Sequence, residues 1–254
     1  MRVFLFYLSD AKYGGWPTFT CHLALALKSI GVTSTIVRIG KRSYAKPRSF
    51  GRGMNFYYAS LKDAVSWATQ APSIVTVAAP KMAVEANALV EAGCRMVMHD
   101  PTELKGGHHN ETVRSAKHPI IIINRQLQPL VEDLGGSAVF LPHPYTSIGV
   151  GTGVGQPAKR PLHATCVSRV DFDKNTDVVI GANELLPEDR RVAIYGGMNR
   201  LYAFHKLDSV YPGWRANYRG EFSVDNLWSG SMVSRTGHYA VDMSTIVGDG
   251  GRTQ

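Results

Sequence analysis

Short apolar runs alternate with helically spaced apolar positions from the first residues onward. Residues 3–8 are an unbroken apolar run of strand length. Residues 17–30 (PTFTCHLALALKSI) then place apolar side chains at helical spacing, with Pro17 suited to a helix start. The pattern predicts further strands at 33–39, 74–78, 95–98, 120–123 and 138–141. Between them it predicts helices at 61–69, at 82–92 (closed by Gly93) and near 126–134. Strands that are apolar throughout belong in a sheet covered on both faces. Repeated β-α-β units with right-handed crossovers give a parallel, doubly wound, Rossmann-like α/β domain.

The pattern lapses over residues 142–161, which hold four prolines and four glycines and read as a linker. Alternation then resumes, with strands at 163–167, 191–195 and 239–243, helices at 176–185 and near 200–207, and a further ordered stretch at 214–219. Two α/β domains are therefore expected, 1–158 and 159–254. The last stretch, HYAVDMSTIVGDGGRTQ, is an apolar strand running into a Gly-rich, hydroxyl-bearing turn. Turns of this kind hand over to a helix and present backbone N–H groups to phosphate. With no helix after it, the second Rossmann-like domain is expected to be incomplete.

Composition narrows the class without changing the fold. The chain has 254 residues, 44% of them hydrophobic, enough for two domains of ordinary size. No apolar run approaches the roughly 18 residues of a membrane span, so no membrane partner is expected. The opening MRVFLFYLSD lacks a small-residue cleavage site and reads as a first strand. Cys21, Cys94 and Cys166 stand far apart in apolar segments, as reduced core thiols of a cytoplasmic protein would. The net charge of +8 is local. Arg38, Lys41, Arg42, Lys46, Arg48 and Arg52 fall within residues 38–52 without one acid among them.

Four segments could carry chemistry. Residues 9–17 (SDAKYGGWP) follow the first strand, where open α/β sheets bind ligands; Gly14 and Gly15 let backbone approach a ligand, and the next helix start favours an anion. The spacing is not GxGxxG, and a plain tight turn is the competing reading. His99 and Asp100 stand at the end of the 95–98 strand, the position of active-site groups in this architecture. A strand-capping His and an Asp that starts a turn would look the same. Arg169 and Lys174 (in SRVDFDK) flank the first strand of the second half and suit a diphosphate, although Asp171 and Asp173 partly neutralise them. The 38–52 segment mixes Lys41, Arg42, Lys46, Arg48 and Arg52 with Tyr44 and Phe50, just before Phe56, Tyr57 and Tyr58. Such a mixture holds phosphate backbones and stacks bases, and it also describes a solvated cationic loop. Tyr195, Gly196 and Gly197 follow a strand and would line a nucleotide's base and ribose, or form a turn. His108 and His109 are adjacent, with no third ligand spaced to help, so no metal is expected.

These parts together resemble the retaining glycosyltransferases of the GT-B fold, and among them the phage DNA α-glucosyltransferases that modify hydroxymethylated pyrimidines. The resemblance rests on the Met-Arg-Val-Phe opening, Gly14-Gly15, His99-Asp100, the Arg169 and Lys174 pair, and the loop over residues 248–254. It implies a donor diphosphate held by Arg169 and Lys174, with Gly14, Gly15, Gly250, Gly251, Arg252 and Thr253 around it. It implies that His99 and Asp100 lie near the transferred sugar and the acceptor. The donor would be UDP-linked and no separate cofactor is implied. The acceptor would be a base in double-stranded DNA, drawn out of the stack to reach the cleft, with Lys41, Arg42, Lys46, Arg48 and Arg52 on the phosphates. Relatives continue into a helix with a ribose-binding Glu; the resemblance implies that either the sequence is cut short before it or a second polypeptide supplies the rest. Two other readings stay open: a non-catalytic nucleic-acid-binding protein on a degenerate transferase fold, and a glycan-directed transferase.

Overall fold

The computed structural model describes residues 1–11, 14–144, 164–197, 201–221 and 239–240. It divides into two compact units, Met1–Thr146 and Ser147–Gln254. The composition-based boundary at 158 falls outside the described residues.

In chain order the first unit carries β1 (Arg2–Leu8), α1 (Gly15–Ser29), β2 (Thr33–Ile39), β3 (Arg48–Gly51), β4 (Met54–Ala59) and α2 (Leu61–Gln70). After these come β5 (Ser73–Ala78), α3 (Ala83–Glu91), β6 (Arg95–Met98), α4 (Asn110–Ser115), β7 (Ile120–Ile122), α5 (Leu127–Asp133) and β8 (Ala138–Phe140). The strands make one eight-stranded sheet in the order β3-β4-β2-β1-β5-β6-β7-β8. Every pairing is parallel except β3 with β4. The chain leaves β1 toward β2 and later returns to β5 on β1's other side, so the β1/β5 boundary is the switch point of the sheet.

β1 shows why its sequence is apolar throughout. Val3, Leu5 and Tyr7 enter one buried cluster with Ile36, Phe56 and Val77. Phe6 and Leu8 enter another, with Val37, Val75, Met96, Met98 and Ile122. Burying both faces removes any polar alternation, and each fully buried Leu or Phe stabilises the fold by about 1.5–3 kcal/mol. The buried threonines of this layer are satisfied: Thr20 and Thr76 share a hydrogen bond of 3.0 Å, and Thr76 Oγ1 donates to the Phe6 carbonyl at 3.2 Å.

The hairpin β3–β4 was not expected from the sequence. Gly51, Arg52 and Gly53 turn it with φ of 83°, 58° and 71°, all left-handed. The loop before it is tied down from the side. Ser43 Oγ donates to the Asp63 carboxylate and accepts the Ser60 N–H at 2.9 Å, while Ser60 Oγ caps α2 by accepting the Asp63 N–H at 3.2 Å.

The second unit holds β9 (Ala164–Val167), α6 (Thr176–Leu185), β10 (Ala193–Tyr195), α7 (Leu201–Val210) and β11 (Tyr239–Ala240). These strands form a parallel sheet in the order β10-β9-β11. Its core is Cys166, Val170, Val179, Ile180, Ile194, Phe204, Leu207 and Trp214. Cys21, Cys94 and Cys166 are all buried. No helix among the described residues is long and apolar enough to cross a membrane.

Candidate active site

Because seven of the eight strands in the first unit run the same way, their C-terminal ends share one edge. The turn after β1, the loop after β2 and the residues after β5 and β6 all leave the sheet there. Gly14 caps α1 at φ 97°, a conformation open to glycine, and the space at its Cβ position is clear. Gly15 is buried as the first residue of α1, whose first turn carries no acid. No acid of the helix's own first turn offsets the positive end of its dipole.

Beside that turn, Asp10 lies between two cations. Lys81, just after β5, pairs with its carboxylate, and Arg38 of β2 reaches it at 3.3 Å while also donating to the Ser9 carbonyl. The hydrogen bond from Lys81, supported by Arg38, holds the Asp10 carboxyl below the usual range. Tyr7 donates its hydroxyl to the Ala11 carbonyl at 2.7 Å, and burial pushes its pKa up to about 12, so it stays neutral. The sequence reading missed Lys81 altogether.

His99 lies at the end of β6 and is buried. The Phe19 ring meets it edge-on at 4.8 Å, Trp16 stands at 6.4 Å, and Phe19 in turn contacts His143 at 5.2 Å. Glu103, a residue the sequence reading did not single out, grips His99 twice. One oxygen accepts the His99 backbone N–H at 2.9 Å and the other lies 3.1 Å from Nδ1. Asp100 makes that grip possible: its carboxylate accepts the Thr102 N–H at 2.8 Å and the Thr102 hydroxyl, capping the turn Pro101–Glu103. The signal was present as His-x-x-x-Glu across an Asp-Pro turn. His109 is fully buried, with Nε2 3.0 Å from the Ala78 carbonyl. Burial pulls it below the ordinary histidine range. His108, by contrast, is exposed, so the adjacent pair does not converge, and among the described residues no group of three His, Cys, Asp or Glu could hold a metal.

The cationic segment separates into two parts. Lys41, Arg42, Lys46 and Arg48 are exposed. Arg42 lies over Tyr44 at 5.9 Å, and Arg48 lies over both Tyr44 (5.9 Å) and Tyr58 (5.3 Å). Arg52 does not join them. It is 5% exposed and sits in the hairpin turn, which the β3–β4 register places at the opposite edge of the sheet.

In the second unit, Arg169 is exposed and Lys174 is buried at the mouth of β9. The loop between them is built: the Asp171 side chain accepts the Phe172 N–H at 2.8 Å, its carbonyl accepts the Lys174 N–H at 3.2 Å, and Asn175 enters α6 at φ 49°. Gly196 is explained by packing, since a Cβ there would collide with the Ser168 carbonyl. Its N–H donates to the Gly220 carbonyl at 3.1 Å and its carbonyl accepts the Tyr218 hydroxyl at 2.8 Å. Both backbone groups of Gly196 thus take part in the fold, Tyr195 is half-buried beside it, and the Gly197 carbonyl accepts the Val170 N–H at 3.1 Å. Gly250, Gly251, Arg252 and Thr253 lie outside the described residues.

No family model matches the sequence, and comparison with curated proteins returns no match. Solved structures do match. An α-glucosyltransferase in complex with UDP shares 15% identity at a TM-score of 0.65, over 97% of this chain and 74% of that one. An α-glucosyltransferase in complex with UDP-glucose and DNA containing an abasic site gives 14% identity and a TM-score of 0.67, over 97% and 73%. The Anabaena protein HepE in complex with UDP and glucose gives 14% and 0.66, over 100% and 77%. The lipopolysaccharide outer core galactosyltransferase WaaB gives 12% and 0.56, over 96% and 74%. At these identities the likeness establishes the fold: two Rossmann-like α/β units of the GT-B type.

Proposed function

We propose that this chain is a retaining, metal-independent glycosyltransferase that moves a sugar from a UDP-linked donor to a hydroxyl on a modified base in double-stranded DNA. The carrying observation is the shared edge of the first sheet. It gathers the start of α1, the buried ring of His99 and the loop bearing Lys41, Arg42 and Lys46. Structures of the same fold hold UDP or UDP-glucose, and several of the α-glucosyltransferase structures hold DNA as well. Arg169 and Lys174 would take the donor diphosphate, their charges offsetting what develops on the leaving group. Asp100, fixed in its turn, and His99 would face the transferred sugar and the acceptor. A target base would leave the stack to reach them, while Lys41, Arg42, Lys46 and Arg48 hold the neighbouring phosphates.

The test is mass spectrometry of nucleosides from DNA containing 5-hydroxymethylpyrimidines, incubated with the chain and UDP-glucose or other UDP-sugars. One hexose or pentose added to the modified base is expected. DNA binding without turnover of any donor would identify a binding protein instead. Donor turnover without DNA modification would point to a saccharide acceptor, a reading that the fold shared with WaaB favours.

A further inference from the structure

We infer that Glu103 is a positioning residue: it fixes His99 as the Nδ1–H tautomer, leaving Nε2 as a lone-pair acceptor for a ligand hydroxyl. The inference rests on the transferase reading for its ligand, and on geometry alone for the tautomer. Both Glu103 oxygens are committed to one residue, one to the His99 backbone N–H at 2.9 Å and one to Nδ1 at 3.1 Å. A carboxylate can only accept, so the proton of a neutral ring belongs on Nδ1. The opposite nitrogen, Nε2, is buried and has no hydrogen-bond partner among the described residues. A buried polar atom without a partner carries an uncompensated desolvation penalty.

The ring cannot turn to relieve this. Glu103 holds one side of it and Phe19 abuts it edge-on at 4.8 Å. His99 and Glu103 are 7% and 5% exposed, so water competes weakly for either side of the pair. The arrangement has the logic of a base oriented by a third group, here through a spacing of four residues closed by the Asp100 turn. Among the described residues Nε2 meets no O–H donor. In a sugar transferase two sources supply one: a hydroxyl of the donor sugar, or the acceptor hydroxyl.

Long-range ¹H–¹⁵N correlation spectra of the full, ¹⁵N-labelled chain at about pH 8, above the usual histidine range, read the tautomer directly. The His99 signals are assigned by their loss in His99→Gln. The expected pattern is a protonated Nδ1 and a bare Nε2. A wild-type ring protonated on Nε2 overturns the inference. Glu103→Gln should invert the pattern: its amide oxygen keeps the backbone N–H, its NH₂ donates to Nδ1, and the proton moves to Nε2. An unchanged pattern in that variant overturns the role of Glu103; if the variant does not fold, the wild-type spectrum decides. Adding UDP-glucose or hydroxymethylated DNA separately identifies the hydroxyl, by which of them shifts Nε2. If neither shifts it, the ligand half of the inference is lost. Turnover by Glu103→Gln should fall roughly tenfold or more, within the 10²–10⁴-fold that a positioned acid–base group contributes. A chain that transfers no sugar yet shows the Nδ1–H ring, inverted in Glu103→Gln, keeps the Glu103 assignment and removes the transferase reading.

Discussion

Arg169 and Lys174 were read from the sequence as one pair of cations, and burial now divides them. Arg169 is exposed and Lys174 is 7% exposed within the loop that starts α6. Losing a charge-assisted diphosphate contact costs about 1.5–3 kcal/mol. Arg169→Ala should therefore weaken nucleotide-sugar affinity about tenfold or more in calorimetry and leave the melting temperature in place. Lys174→Ala should lose affinity and stability together; unchanged affinity in both variants would remove the proposed donor site. His109 gives a second residue-scale expectation. Burial lowers its pKa below the ordinary value, so the folded chain keeps it neutral. The unfolded chain takes up a proton near about pH 6.5. The stability linked to it is thus present above that pH and is lost as the pH falls toward the folded pKa, at up to about 1.4 kcal/mol per pH unit. Denaturant titrations above and below that value should show a steeper acid loss in wild type than in His109→Gln. His99 was legible because strand ends carry chemistry in this architecture. Glu103 was not, because its partner lies across a turn whose closure depends on the Asp100 side chain. Gly196 was read toward a nucleotide, and only the approach of the Ser168 backbone reveals why glycine is there.

The elements with strong apolar runs were visible in the pattern, β2 and α6 to their end residues. The hairpin was not. β3 is RSFG, with one large apolar residue in four, and its position comes from pairing with β4 and from the left-handed turn Gly51, Arg52 and Gly53. That pairing converts a run of cations into a surface: Arg48 is held on two tyrosines, and the Ser43 bridge to α2 anchors the loop bearing Lys41, Arg42 and Lys46. If Lys41, Arg42 and Lys46 meet phosphates, each contributes near −0.9 to the log–log salt slope. Changing all three to Ala should flatten the slope by up to about 2.7 and leave nucleotide-sugar affinity almost unchanged. DNA affinity with an unaltered slope would make the loop an ordinary solvated one.

The alternation of strands and helices revealed two α/β units, but strand order was beyond it, since order depends on which crossover each helix takes. Among the described residues, the two core clusters of the first unit are built from residues before 146 and that of the second unit from residues after it. A fragment ending at residue 146 should accordingly melt as one cooperative transition by circular dichroism and, on the function proposed above, bind DNA with a salt-dependent affinity. A fragment without a cooperative melt would show that the first sheet needs the second unit to fold. Finally, β3 is the outermost strand of the eight, with one row of backbone groups that no strand among the described residues covers. Such a rim is a template on which another molecule's strand can add, and short length, a bulge and cationic side chains are what discourage it. β3 has all three: four residues, an irregularity between Ser49 and Gly51, and Arg48. Arg48, proposed to grip phosphate, thus also guards the rim against fibril-like stacking, and changes that neutralise it should cost nucleic-acid affinity and colloidal stability together.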